Sequence, residues 1–434
     1  MTSHKKDFVK YVSLAVLEMV CISIYIIADT FFIAQALGAY GLAALNISIS
    51  AFTVVHSVGL MIGIGGATLF SIVRGRGDDA STVFTHALAV GAVSAVFFVA
   101  LGAFFTVQIS TALGANVDTI YMVTAYIRTT LFFSPVLVFR NILLSFIRND
   151  GNPKLAMAGS FVGAFANIFF DYIFLFPLAL GMFGAALATG VSLILSTAVL
   201  MAHFFTKKNN LFLQRCKFKL RRVGDLLALG ASTLVNEMSV AVSLVAFNLV
   251  ILGVAGNIGV AAFGIVINLA IISVSVFGGV AIGIQPLVSR GHGSSDSAAV
   301  RFTMKYAVAT VSVLGVVIYA VVFAFAPPLV YMFNSEASET LQKLAESGLR
   351  IYFIGLIFAG INVIASAFFS ACDNPKIALV IGILRSAVVL VPMLLVLSTF
   401  GMYGVWWSYV TTEAVVFILA LILLLRAIRG LRLT

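Results

Sequence analysis

Apolar residues run in stretches of twenty or more, separated by short polar breaks, along nearly all of the 434-residue chain. About 20 such residues carry an α-helix across the hydrocarbon of a bilayer. Twelve spans are predicted, at 11–34, 43–70, 84–108, 121–146, 155–176, 182–206, 226–253, 258–286, 303–330, 347–370, 377–399 and 402–429. The breaks leave no room for a large soluble domain. An even number of spans puts both termini on one side.

The two halves repeat each other. Arg74-Gly75-Arg76-Gly77 ends span 2 and Arg290-Gly291-His292-Gly293 ends span 8. Asn152-Pro153-Lys154 leads span 5 and Asn374-Pro375-Lys376 leads span 11. Gly181-Met182-Phe183-Gly184 precedes span 6 and Gly401-Met402-Tyr403-Gly404 precedes span 12. The three matches keep their order at an offset near 220 residues, and six-span copies run in the same direction through the bilayer. The predicted fold is therefore an all-α polytopic membrane protein, with twelve transmembrane helices in two six-helix lobes related by a pseudo-two-fold axis along the membrane normal. The lobes occupy 1–206 and 226–434, and a basic linker at 207–225 joins them.

Composition agrees and adds an orientation. The chain is 62% apolar and 10% charged, against about half and a quarter in globular proteins. Its net charge of +10 does not indicate nucleic acid, because the basic residues sit in short loops rather than on one surface. The side holding the termini and the loops after even-numbered spans carries 21 of the 26 Lys and Arg. The other side has Lys343 and Arg350 beside Glu336, Glu339 and Glu346. The bias predicts a multi-pass protein of the inner (plasma) membrane with both termini cytoplasmic. The first apolar run is too long for a cleaved signal and contains Glu18 and Asp29, so it reads as a retained helix. Cys21, Cys216 and Cys372 have neither metal-ligand spacing nor a disulfide pattern.

Ionisable residues at bilayer depth cost at least about 2.5–3.5 kcal/mol each by insertion scales. Five carboxylates fall inside spans: Glu18, Asp29, Asp171, Glu237 and Glu413. Counting about 1.5 Å per residue, Asp29 lies roughly 27 Å and Asp171 roughly 24 Å from the terminus side. Asn167 shares a face with Asp171 one turn away, and Thr189 reaches a similar level. Two carboxyls, an amide and a hydroxyl form an all-oxygen set suited to a hard cation such as Na⁺, and equally to a proton. The alternative is that these groups are paired to hold helices together. Glu18 lies three turns before Asp29 on the same face, placing it either on a proton path or in contact with water at the surface. Glu237, its neighbour Asn236, and Glu413 are candidate substrate-binding groups, with a structural carboxylic acid as the alternative for each Glu. Phe, Tyr and Met are abundant enough to make a central cleft adaptable.

No Gly-Lys dipeptide occurs, so there is no Walker phosphate loop, and no His is followed by Glu, so the zinc-protease helix motif is absent. Gly75-Arg76-Gly77-Asp78 spells the GxGD of intramembrane aspartyl proteases, but the partner Tyr-Asp is absent and the repeat has Ser294 in the Asp position. An enzyme is not expected, and no cofactor beyond the coupling ion.

The segment Asp29-Thr30-Phe31-Phe32-Ile33, followed by Leu37-Gly38 and Gly41-Leu42-Ala43-Ala44-Leu45, resembles a signature of the multidrug and toxic compound extrusion (MATE) family. Asn167-Ile168-Phe169-Phe170-Asp171, followed by Gly184-Ala185-Ala186-Leu187-Ala188-Thr189, is similar to another. Among branches the chain looks closest to the MepA-like one. The resemblance implies a cation-coupled antiporter that expels amphipathic, often cationic compounds in exchange for protons or sodium. It would make Asp29 the essential carboxylate, Asn167 and Asp171 its partners, Thr189 a further ligand, and Ala185 a contributor through its carbonyl. Glu237 would match a carboxylate used on helix 7 by some branches. Two features depart from the pattern: span 10 offers only Asn362 and Ser366 where some branches have an acid, and spans 1 and 7 lack the usual proline. The expected partners are small organic molecules and the bilayer, with a monomeric protein. A lipid or oligosaccharide-lipid flippase of the same superfamily, and a carrier of a natural metabolite, are the competing readings.

Overall fold

The computed structural model of the chain describes residues 2–207, 209–214, 218–334 and 338–430, and every regular element among them is a helix. Lys208, Arg215, Cys216, Lys217, Glu336 and Arg432 of the sequence reading lie outside the described residues.

Spans 1 and 2 follow one another in Thr2–Gly75, broken only at Gly38 (φ 63°, ψ −155°). Spans 7 and 8 do the same in Leu220–Gly293, broken at Gly256 (φ 60°, ψ −156°). A side chain is strained in that backbone region, so glycine makes the break possible without unwinding either neighbour. Span 3 is Ser81–Phe104, followed by the short helix Thr106–Ala112. Span 4 is a pair, Ile120–Phe132 and Ser134–Asn149, bent by 51°. Pro135, in the first turn of the second piece, lacks the N–H that would carry the helix through. Spans 5 and 6 are Pro153–Leu175 and Gly181–Met201, and span 9 is Ser297–Tyr331. Span 10 divides into the amphipathic Glu339–Tyr352 and the apolar Ile354–Ala371. Span 11 runs Pro375–Ile383, passes through a π turn at Leu384–Val388, and resumes at Leu390–Leu397. Span 12 is Gly401–Gly430. All twelve predicted spans are present, several longer than their apolar cores.

The repeat is also written in the backbone. Positive φ occurs at Gly77 and Ser295, at Gly151 and Asp373, and at Gly181 and Gly401, each pair at matching places in the two halves.

The chain forms two compact units, Leu17–Leu234 and Met1–Val16 with Val235–Thr434. These divide inside spans 1 and 7 rather than in the linker. In the first unit, the backbones of spans 2 and 7 approach so closely that a Cβ on Gly65 would lie 2.1 Å from the Leu226 carbonyl oxygen. In the second, span 8 meets the start of span 1, where a Cβ on Gly283 would lie 2.7 Å from the Val12 Cα. Small residues let helices touch where lipid supplies no hydrophobic drive for association. The linker is held on the first unit: Gln214 N–H donates to Thr85 Oγ1 (3.1 Å), Lys219 N–H to His86 Nε2 (3.0 Å), and Phe218 stacks on the His86 ring.

Exposed side chains in the spans are largely apolar, including Val93, Val96, Phe165 and Phe169, whereas buried hydroxyls such as Ser48, Ser57 and Thr106 donate to carbonyls four residues earlier. A bilayer demands this arrangement, because hydrocarbon offers polar groups no partner. Cys21 and Cys372 are buried free thiols.

Candidate functional site

The site grows from three helices of the first unit. Span 1 carries Asp29, span 5 carries Asn167 and Asp171 one turn apart, and span 6 carries Ala185 and Thr189, also one turn apart. The Asp29 and Asp171 carboxyls lie within hydrogen-bonding reach of each other, as the depth count predicts. Asp171 is fully buried and Asn167 nearly so. Asn167 Nδ2 donates to Thr189 Oγ1 (3.3 Å), and Thr189 Oγ1 donates to the Ala185 carbonyl (3.3 Å). Thr189 and Ala185 thus join the pair through Asn167.

Asp29 Oδ1, both Asp171 carboxyl oxygens and Asn167 Oδ1 are buried and receive no N–H or O–H donor among the described residues. Buried acceptors are normally satisfied. Four unsatisfied ones, all oxygen and from two neighbouring helices, fit a hard cation or a proton held between the carboxyls. No group of three or more His, Cys, Asp or Glu side chains occurs among the described residues, so the donor set is not one for a transition metal.

Two tyrosines escaped the sequence reading. The Tyr126 hydroxyl reaches Thr189 from span 4, and Tyr25 is an electrostatic neighbour of Asp29, Asp171 and Arg140. Tyr25 stands one turn before Asp29, a spacing that could have flagged it; nothing in the sequence of span 4 singles out Tyr126.

Glu18 is not in contact with water. It is buried, accepts from Arg148 Nη2 at 2.7 and 3.0 Å, and receives the Ser160 hydroxyl at 3.0 Å. Arg148, counted in the sequence among loop charges, lies in the last turn of span 4 with its side chain buried. Among the described residues, buried Arg140 donates to the neutral acceptors Ser196, Ser160 and Asn141.

In the second unit Glu413 is buried and its two oxygens accept from Arg385 Nε and Nη2 at 2.8–3.1 Å. Asn362 Nδ2 donates to Glu413 Oε2 (2.7 Å). The charge proposed to attract an organic cation is therefore already matched by a guanidinium. Glu237 stands apart: partly buried, it makes no ion pair or side-chain hydrogen bond among the described residues. Its neighbour Asn236 packs against span 11, with Oδ1 2.7 Å from where a Cβ on Gly382 would lie.

The MatE family model matches residues 15–173 and 233–396, most of the chain and both halves. The chain belongs to the MatE family. Multidrug export protein MepA of Staphylococcus saprophyticus is 25% identical over 405 residues, covering 92% of this chain and 89% of that protein. The outward-facing conformation of a multidrug resistance MATE family transporter of the MOP superfamily superposes with a TM-score of 0.94 at 22% identity, covering 99% of this chain and 97% of that one. A MOP superfamily transporter from Pyrococcus furiosus, whose reversed binding-pocket polarity suggests a different function, gives 0.92 at 22% identity, with the same coverage. This MatE chain thus has the twelve-helix, two-lobe fold expected of it.

Proposed function

We propose that this MatE chain is a multidrug efflux antiporter that exchanges an inward-moving proton or sodium ion for an amphipathic, often cationic organic compound by alternating access. The Asp29–Asp171 pair carries the reading. Two carboxylates facing each other at low dielectric repel strongly, so their pair holds a proton or cation and cedes it only when the surroundings change. Uptake of that ion from outside favours one arrangement of the helices and drug binding favours the other, and this competition couples the two fluxes. Asn167, with Thr189 and Ala185 behind it, supplies the further oxygens that a sodium ion needs. MatE membership and the name of the Staphylococcus relative support the substrate class.

The protein acts as a monomer in the plasma membrane with both termini in the cytoplasm, a reading supported by the excess of Lys and Arg on the terminus side. The test is reconstitution into liposomes with a pH gradient and a sodium gradient imposed separately, following rhodamine 123 as a fluorescent organic cation. Dye exchange against at least one gradient is expected. Transport under neither would contradict the proposal and favour a flippase or metabolite carrier.

A further inference from the structure

We infer that Arg385 is the group that binds the carboxylate of a substrate whose flat aromatic body carries one. The transport of such a substrate rests on the efflux reading; its binding does not.

Arg385 sits in the π turn Leu384–Val388 of span 11, a helix defect that frequently marks a functional position. A guanidinium has five N–H donors in a planar fork. Glu413 occupies the side formed by Nε and Nη2, and Nη1 has no hydrogen-bond partner among the described residues. The Arg385 side chain keeps 17% of its surface exposed while that of Glu413 keeps 3%. Glu413, fixed further by Asn362 and by the Tyr409 hydroxyl, therefore holds the fork in place and leaves its Nη1 end without a partner among the described residues.

That end lies roughly 15 Å along span 11 from Pro375, at bilayer depth. Hydrocarbon is a poor environment for unpaired N–H groups, so the free end belongs against water or a polar ligand. A planar carboxylate matches it with two parallel hydrogen bonds. Beside it, the rings of Tyr352 and Tyr409 stack at 4.0 Å between centroids with an interplanar angle of 4°. Both are electrostatic neighbours of Arg385, and Tyr409, only partly buried, offers a plate for an aromatic ring. The two features select a flat molecule with an attached carboxylate. Glu413 alone would have selected a cation.

The test compares rhodamine 110, which carries a free carboxylate, with rhodamine 123, its cationic methyl ester. Binding to the purified full-length protein is read by fluorescence polarisation. Arg385→Lys keeps the charge and removes the fork, so affinity for rhodamine 110 falls about tenfold while that for rhodamine 123 changes less than about twofold. The double variant Arg385→Met/Glu413→Leu removes both charges together and guards against misfolding of the single variant. It keeps the ester and loses the acid. Equal loss of both dyes in either variant, acid binding retained by the double variant, or no binding of the acid by the wild type would overturn the inference. If the wild type binds the acid through Arg385 yet moves neither dye in liposomes, the site stands and the efflux reading falls.

Discussion

In the first unit two carboxyls, Asp29 and Asp171, face each other, and Asp29 Oδ1 and both Asp171 oxygens receive no donor among the described residues; in the second, the carboxylate of Glu413 faces the guanidinium of Arg385 and is further satisfied by Asn362. Each arrangement sets one buried carboxyl, Asp171 or Glu413, against a partly buried partner in apolar helices, and the two obey opposite rules. A pair of like groups is incomplete without something that arrives from outside, which makes it suitable for an exchanged ion. A pair of opposite charges satisfies itself, holds its helices together, and leaves only one edge of the guanidinium fork unused. The same distinction separates Asp29 from Glu18, eleven residues earlier on one face, because Glu18 already has Arg148 and Ser160.

The comparison predicts different failures. Asp171→Asn removes one of the two facing charges and leaves a polar side chain of nearly the same shape. Gradient-driven dye efflux should drop to background, while the detergent-solubilised protein melts at the same temperature or higher, since an unsatisfied buried carboxyl has gone. A lowered melting temperature with retained efflux would place Asp171 with the structural groups. Glu413→Gln should do the reverse. It strands a buried guanidinium and costs about 3–5 kcal/mol of stability, most of which the double variant Arg385→Met/Glu413→Leu recovers. Thermal unfolding of the three proteins measures this, and an undisturbed Glu413→Gln would show that the pair is not what holds spans 11 and 12.

Smaller effects test the intermediate cases. Ser196→Ala withdraws an acceptor from Arg140 Nε, leaving a buried N–H without a partner, and should cost about 1–3 kcal/mol. Asp150, just past span 4, shows what donors do for a single carboxylate. Burial alone would raise it, but hydrogen bonds from His203 and Asn210, with the Arg74 guanidinium nearby, hold it below the usual carboxylate range. Its contribution to stability is present above the unfolded-state value of about 3.9 and is lost as pH falls through the lower folded value. Melting curves between neutral and acid pH should therefore show a smaller loss on acidification for Asp150→Asn than for the wild type.

Much of this was legible in the sequence. The turns at Gly181 and Gly401 fall where the repeat matched, because a glycine whose backbone conformation disfavours a side chain tends to be kept in both copies; the breaks at Gly38 and Gly256 repeat in the backbone but lie outside the matched motifs. Asp29, Asn167, Asp171 and Thr189 came together because depth in a membrane follows from helical rise. What stayed hidden depends on which helices are neighbours. Arg148 looked like a loop charge until packing placed it against Glu18, and Arg385 and Glu413 lie on different spans with nothing in their spacing to join them. Tyr126 is one of 12 tyrosines, unmarked except by the fold that sets it against Thr189. The π turn that carries Arg385 has no counterpart in span 5 and no sequence signal that we can identify.

The central claim is that the facing carboxyls hold the exchanged ion, and Asp29→Asn tests it most directly. Wild-type and variant proteins are reconstituted at equal density, and rhodamine 123 exchange is followed under an inward proton gradient and, separately, an inward sodium gradient. The account predicts exchange by the wild type under at least one gradient and none by the folded Asp29→Asn protein under either. Exchange by Asp29→Asn at the wild-type rate would contradict it.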